Sequence, residues 1–235
     1  METNSSHVQS SNSDGETDDG SESFDKRQLI GAETETESTN LLPEVEGLCI
    51  TGEARPGHTI QATGEKKPEY LVTADDVESY LAVEVIPIGK GEQIGDLVRI
   101  FANEHKKITC GNEMQDAVEQ NFFNGHASFD AYLVGYYDDR QRVKLEFTKD
   151  RFIIKDGKLH PIVNIIFLPD MMITIPGESP TGFEIHSIGA SLSLKLETEN
   201  STLRDLIVLT MRSFLLRVRL AALLPRTINA QILFT

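Results

Sequence analysis

Three stretches of this chain hold residue types that could do chemistry. The first is TADDVESYLAVEV, residues 73–85, with the adjacent carboxylates Asp75 and Asp76 and a tyrosine at 80. An acidic pair moves protons only when it converges with another titratable group in a pocket. No such group stands nearby in the sequence. The second is YYDDRQRVK, residues 136–144. Arg140, Arg142 and Lys144 could clamp the phosphates of an anionic headgroup. Asp138 and Asp139 oppose them, and the preceding SFDAYLVG run adds no base. Residues 126–219 hold 12 acids and 12 bases, so no wide positive field surrounds the hairpin. At most weak binding of anionic lipid is expected. The third is NEHKKITC, where Lys106 and Lys107 make a small basic spot that could touch an acidic filament.

Other chemistry finds no support in the sequence. The six histidines (7, 58, 105, 126, 160 and 186) lack ligand spacing, so no metal site is expected. There is no G-x-x-x-x-G-K-[ST] or G-x-G-x-x-G run, and no recognisable nucleophile motif. No catalytic residue and no cofactor are expected. Cys49 and Cys110 are the only cysteines and do not form a C-x-x-C pair. They are expected as reduced thiols, although a bridge between them stays open.

The elements that must position these residues follow from composition and periodicity. The net charge of −15 is uneven: residues 1–46 hold 12 acids against 2 bases, a net of −10. Nucleic-acid binding through the overall field is therefore not expected. Residues 1–45 are rich in Ser, Thr, Asn, Gly and acids, and are expected as a disordered acidic tail. Residues 46–104 carry five short β runs: LCITGEA, HTIQATG, EYLVT, YLAVEVIPI and DLVRIFA. Turn residues separate them, as in a sandwich. Residues 105–125 hold a linker helix, NEMQDAVEQNFFN, with Asn112 as N-cap and Gly125 beyond its end.

Residues 126–220 carry seven strand-like runs and then one strong helix, capped at Asn200, Ser201 or Thr202. Its apolar stripe is Leu203, Leu206, Ile207, Thr210, Met211, Phe214 and Val218, with Arg204, Arg212 and Arg219 off the stripe. Seven strands closed by one helix is the order of a pleckstrin-homology-like barrel, with the helix plugging an open end. Residues 221–235 form a C-terminal tail. Arginines interrupt the most apolar window, which argues against a membrane span, and no signal peptide is evident. A cytoplasmic protein is expected.

The strand assignment gives the D-x-x-x-Y-x-A spacing a structural meaning. Immunoglobulin-like sandwiches place a Tyr near the start of strand F, its hydroxyl bonded to backbone a few residues upstream. An inward residue, often Cys, follows two positions later. On that pattern Asp76, Tyr80 and Ala82 form a corner, with Ala82 where Cys often stands.

GEARPGHTIQATG, PEYLVTADDVESYLAVEVIP and GDLVRIFANEHKKITC closely resemble the repeated immunoglobulin-like modules of a plant microtubule-associated family named for auxin induction in root cultures. The region from about His126 through DLIVLTMRSFLLR is similar to the C-terminal domain of that family. The order of the two parts is also similar to the tail of the plant stomatal closure-related actin-binding proteins. The resemblance covers about residues 46–219. It implies a non-enzymatic, cytoskeleton-associated protein-interaction module at the cytoskeleton or cell cortex, with microtubules or actin as partner. The alternative is a weak phosphoinositide or membrane-targeting module.

The chain departs from the family in two places. Family modules carry a longer segment between QATG and PEYLV, with a strand bearing a Trp. Here EKKPEY follows Gly64 directly and the chain has no Trp, as a skipped exon would leave it. Strands B and E, neighbours in the usual sandwich, can then join in a hairpin, while the opposite sheet keeps only F and G. The remaining pair is marginal and leaves F with an open edge. Leu81, Val83 and Val85 give strand F a second apolar face, expected to pack on the linker helix or the second domain. The other departure is upstream, where the relative's basic microtubule-binding region and leucine-rich repeats are replaced by an acidic tail. Direct binding to acidic microtubules loses its usual electrostatic basis.

Overall fold

A computed structural model describes residues 42–63, 67–89, 92–135, 139–158 and 160–223. The expectation for the acidic tail falls mostly outside this range, as does most of that for residues 221–235. The fold is mainly β. The first half holds β1 (Ile50–Thr51), β2 (Thr59–Ala62) and β3 (Glu69–Leu71), ordered β1-β2-β3 in one antiparallel sheet. The β4 (Ala82–Val85) and β5 (Val98–Phe101) strands form a separate antiparallel pair. Thr59 faces Leu71 and Gln61 faces Glu69, so the expected B–E hairpin is made. The opposite sheet is reduced to its F and G strands. Ile60, Val72, Leu81, Ala102 and Ile108 form the small core between the sheets, with Ile50, Ala54 and Tyr70 packed against it.

At the entry to β4 the side chains face the opposite way from the expectation. Leu81 is buried while Tyr80 is 54% exposed. Side chains alternate along a strand, so moving the inward position by one residue exchanges the two faces. The cause lies just upstream. The Ile108 N–H bonds to Ser79 O at 2.8 Å, and the Glu78 N–H bonds to Ile108 O at 2.9 Å, with Glu78 at φ 66°. The chain is thereby tied to Ile108 before it enters β4, and Leu81 is the residue delivered inward. Leu81 therefore fills the sandwich's own core instead of packing on the linker helix or the second domain.

Helix α1 (Asn112–Asn124) follows. Its N-cap is Gly111, one residue earlier than expected, and Gly125 ends it at φ 65° with its N–H on Phe122 O. Seven antiparallel strands come next: β6 (His126–Val134), β7 (Arg140–Thr148), β8 (Arg151–Lys155), β9 (Pro161–Ile166), β10 (Met172–Thr174), β11 (Gly182–Ser187) and β12 (Leu192–Glu197). Their order is β10-β11-β12-β6-β7-β8-β9. This is a pleckstrin-homology-like arrangement: four strands run on one side of the first-to-last pairing and three on the other. The sheet does not close into the expected barrel, because β9 and β10 remain its two edges.

Helix α2 (Ser201–Leu223) covers the open side. Asn200 is its N-cap, with Oδ1 accepting the Leu203 N–H at 2.8 Å. Ile207, Met211 and Phe214 enter a core shared with Leu145, Phe147, Phe152, Phe183 and Ile185. Phe214 stacks on Phe167 at 6.0 Å between ring centres and meets Phe147 at 6.3 Å. Arg204, expected off the buried stripe, is 1% exposed.

Candidate interaction site

Arg204 is buried against Asp205, where the first half of the chain docks on α2. The docking segment is the turn Thr73–Asp76, the acidic stretch singled out above. The Asp76 carboxylate accepts the Thr73 N–H at 2.8 Å, and Thr73 Oγ1 accepts the Asp75 N–H at 3.2 Å. The turn is thus held by its own side chains, as Asx and Ser/Thr turns are. The Tyr70 hydroxyl donates to Asp76 at 3.0 and 3.2 Å. Burial and the Asp76 carboxylate push that hydroxyl well above the usual phenol range. The expected corner of Asp76, Tyr80 and Ala82 is not assembled: the tyrosine on Asp76 is Tyr70, and its hydroxyl meets the carboxylate rather than backbone. Tyr80 stands outside, edge-on to His105 at 5.7 Å, and Ala82 is only partly buried.

Ala74 is the tip of the turn. It is 3% exposed and its methyl joins the core of the second half. Its N–H donates to Asp205 Oδ1 at 3.0 Å, and its carbonyl accepts from Arg212 at 3.1 Å. Arg212 also pairs with Asp75 and donates to Ile173 O at 3.3 Å. Beneath it, Arg204 grips both oxygens of Asp205 at 3.0 Å and donates to Pro180 O at 2.5 Å. Burial raises the Asp205 carboxyl, and its bonds to Arg204 oppose that shift. The pair is satisfied on all sides, as a buried charge must be. A second contact lies at the start of α2, where Ser201 Oγ donates to Gly57 O at 3.0 Å. Gly57 has φ +82°, and a Cβ there would stand 2.8 Å from Thr202 Cα. Only glycine suits that position.

Beside this junction lies a cleft of about 810 Å³ lined by Arg55, His58, Met114, Ala117, Thr202 and Leu206. Arg55 and His58 both face Glu53, with His58 Nε2 at 3.5 Å. No group of His, Cys, Asp and Glu that could hold a metal occurs among the described residues. No helix among them is long and apolar enough to cross a membrane.

The basic residues expected to hold anions or filaments already face acids. Arg140 pairs with Glu197 at 2.6 Å, Arg142 with Asp130 at 3.7 Å, and Lys144 with the same Asp130 at 4.0 Å. Asp130 stands directly opposite Lys144 in the β6–β7 register. Asp138 lies outside the described residues. Lys106 pairs with Glu104 at 2.7 Å and Lys107 with Glu78 at 3.5 Å. Sequence reasoning missed three groups: the buried Arg204–Asp205 pair, Arg212 as a bridge, and Ala74 as an anchor. A charged pair close to the start of an otherwise apolar helix was the available signal.

No protein-family model matches the chain, and no curated protein does. Solved structures similar to it include human RhoA in complex with the DH/PH fragment of PDZRHOGEF, at 9% identity and TM-score 0.33. That match covers 37% of this chain and 28% of the other. Inner membrane complex sub-compartment protein 3 from Toxoplasma gondii matches at 9% identity and TM-score 0.37, covering 46% of this chain and 86% of that one. The PH domain of human oxysterol binding protein-related protein 11 matches at 9% identity and TM-score 0.36, over 47% and 93% of the two chains.

Proposed function

We propose that the chain is a non-enzymatic protein-interaction module that associates with the cytoskeleton, in the cytoplasm or at the cell cortex. The observation that carries the protein-binding part is the surface left by the shortened sandwich. Strand β4 is paired only with β5 among the described residues, so its other edge is free to take a strand. Ile86, Ile88, Ile94 and Leu97, in the connection from β4 to β5, are exposed, and Ile88 and Ile94 are joined by a β-bridge that sets them side by side. An open edge with clustered exposed apolar residues suits a protein partner. The filament part rests on the sequence resemblance to the plant microtubule-associated family.

The alternative, weak binding of anionic lipid, is disfavoured by the acids facing Arg140, Arg142 and Lys144. A phosphate would have to displace a carboxylate at each base. Co-sedimentation of the full chain with microtubules, and separately with filamentous actin, tests the proposal. Saturable pelleting with one filament, lost in Ile88→Asp/Ile94→Asp without loss of fold, supports it. Pelleting with neither removes the filament assignment.

A further inference from the structure

We propose that α2 and the edge strand β10 form a peptide socket for a small side chain followed by an acid. In this chain Ala74–Asp75 fills that socket in cis. The inference rests on the protein-interaction reading and names a second surface for it. Three features of Ala74–Asp75 are recognised separately. Both backbone polar groups of Ala74 bond to side chains of α2, at 3.0 Å to Asp205 and 3.1 Å from Arg212. The Ala74 methyl is enclosed in the core, where a larger side chain would overpack it. The Asp75 carboxylate is taken by Arg212.

The socket is assembled without help from its occupant. Arg204 fixes Asp205 from below and is itself anchored on Pro180 O. Arg212 is steadied by Ile173 O of β10. Every one of these groups belongs to residues 173–212. The occupant is equally self-contained, since Asp76, Thr73 and Tyr70 hold the turn in shape. A preformed knob in a preformed socket is the arrangement in which a segment of another protein, with the same small-then-acidic chemistry, can compete. The covalent link gives the internal knob a high effective concentration, so the socket stays closed until the first half lifts away.

The test uses the full chain and a fluorescein-labelled peptide with the sequence of residues 70–78, followed by anisotropy. The variant Ala74→Arg/Asp75→Lys empties the socket while leaving α2 unchanged. It is expected to bind the peptide at least about tenfold more tightly than the unaltered chain, the gain expected once internal competition is removed. Adding Arg212→Ala should abolish that gain. Equal binding by the emptied and unaltered chains overturns the proposal. Should the emptied chain lose its far-UV circular dichroism, amide exchange of the unaltered chain decides instead. Excess peptide should then speed exchange at the Ala74 N–H, and an unchanged rate overturns the proposal. Failure here leaves filament binding through Ile88 and Ile94 untouched, and failure of filament binding leaves the socket standing.

Discussion

Replacing Asp205 by Ala is expected to destabilise the chain more than any other single truncation at the junction. Arg204 and Asp205 are 1% and 0% exposed, so the substitution leaves a guanidinium buried without its counter-charge. Breaking a buried pair in this way costs about 3–5 kcal/mol. The Ala74 N–H also loses its acceptor, which adds about 1–3 kcal/mol for an unsatisfied buried donor. Taking about 4 kcal/mol as the lower bound, a chain of this size should lose roughly 8–16 °C in Tm. Urea unfolding followed by far-UV circular dichroism measures the free energy, and an unchanged slope identifies the loss as one of native stability. The double variant Arg204→Met/Asp205→Leu removes both charges and should lie within about 2 kcal/mol of the unaltered chain. An Asp205→Ala loss below about 1 kcal/mol refutes the reasoning, because the threshold is under the smallest cost expected for the pair. A double variant as damaged as the single one refutes it too.

Other perturbations separate the remaining claims. Tyr70→Phe should cost about 1 kcal/mol by losing its bond to Asp76, while Tyr80→Phe should be neutral. Urea midpoints of the two variants compare them, and the reverse order restores the corner at Tyr80. Gly57→Ala should cost about 1–3 kcal/mol, because φ +82° and the Thr202 backbone both reject a Cβ. An unchanged melting curve counts against close docking at Ser201–Thr202.

Asp170 is held below its usual range, first by the Gly189 N–H and then, against a smaller burial effect, by Ser187. A carboxyl lowered in the folded state contributes stability above its unfolded value, about pH 3.9, and loses it as pH falls through the folded value. Asp170→Asn should therefore flatten the fall of Tm with pH below about pH 4. An unchanged slope contradicts the assignment.

The strands were readable in the sequence because burial on one face forces period-two alternation. LSLKLE became β12 with Leu196 buried, and RFIIK became β8 with Phe152 and Ile154 buried. The missing C strand was equally readable, since Gly64 is followed too soon by EYLV for another strand to fit. The partner of Asp76 was not readable. Tyrosines stand six residues before it and four after, and tertiary bonds to Ile108 decided which one turned inward. Arg204 was placed off the apolar stripe because helical periodicity reports only one face. The Ala74 N–H that reaches its partner Asp205 comes from more than a hundred residues away in the chain. The neutralisation of Lys144 was hidden in the β6–β7 register, which places Asp130 opposite it.

The most direct test of a protein-binding rather than lipid-binding module is one sedimentation series. The full chain would be spun with microtubules, with filamentous actin and with vesicles containing anionic phosphoinositide. The account predicts saturable pelleting with a filament, and vesicle binding that is weak and unchanged by Arg140→Ala/Arg142→Ala. Submicromolar vesicle binding that disappears in that double variant, with no pelleting on either filament, would contradict it.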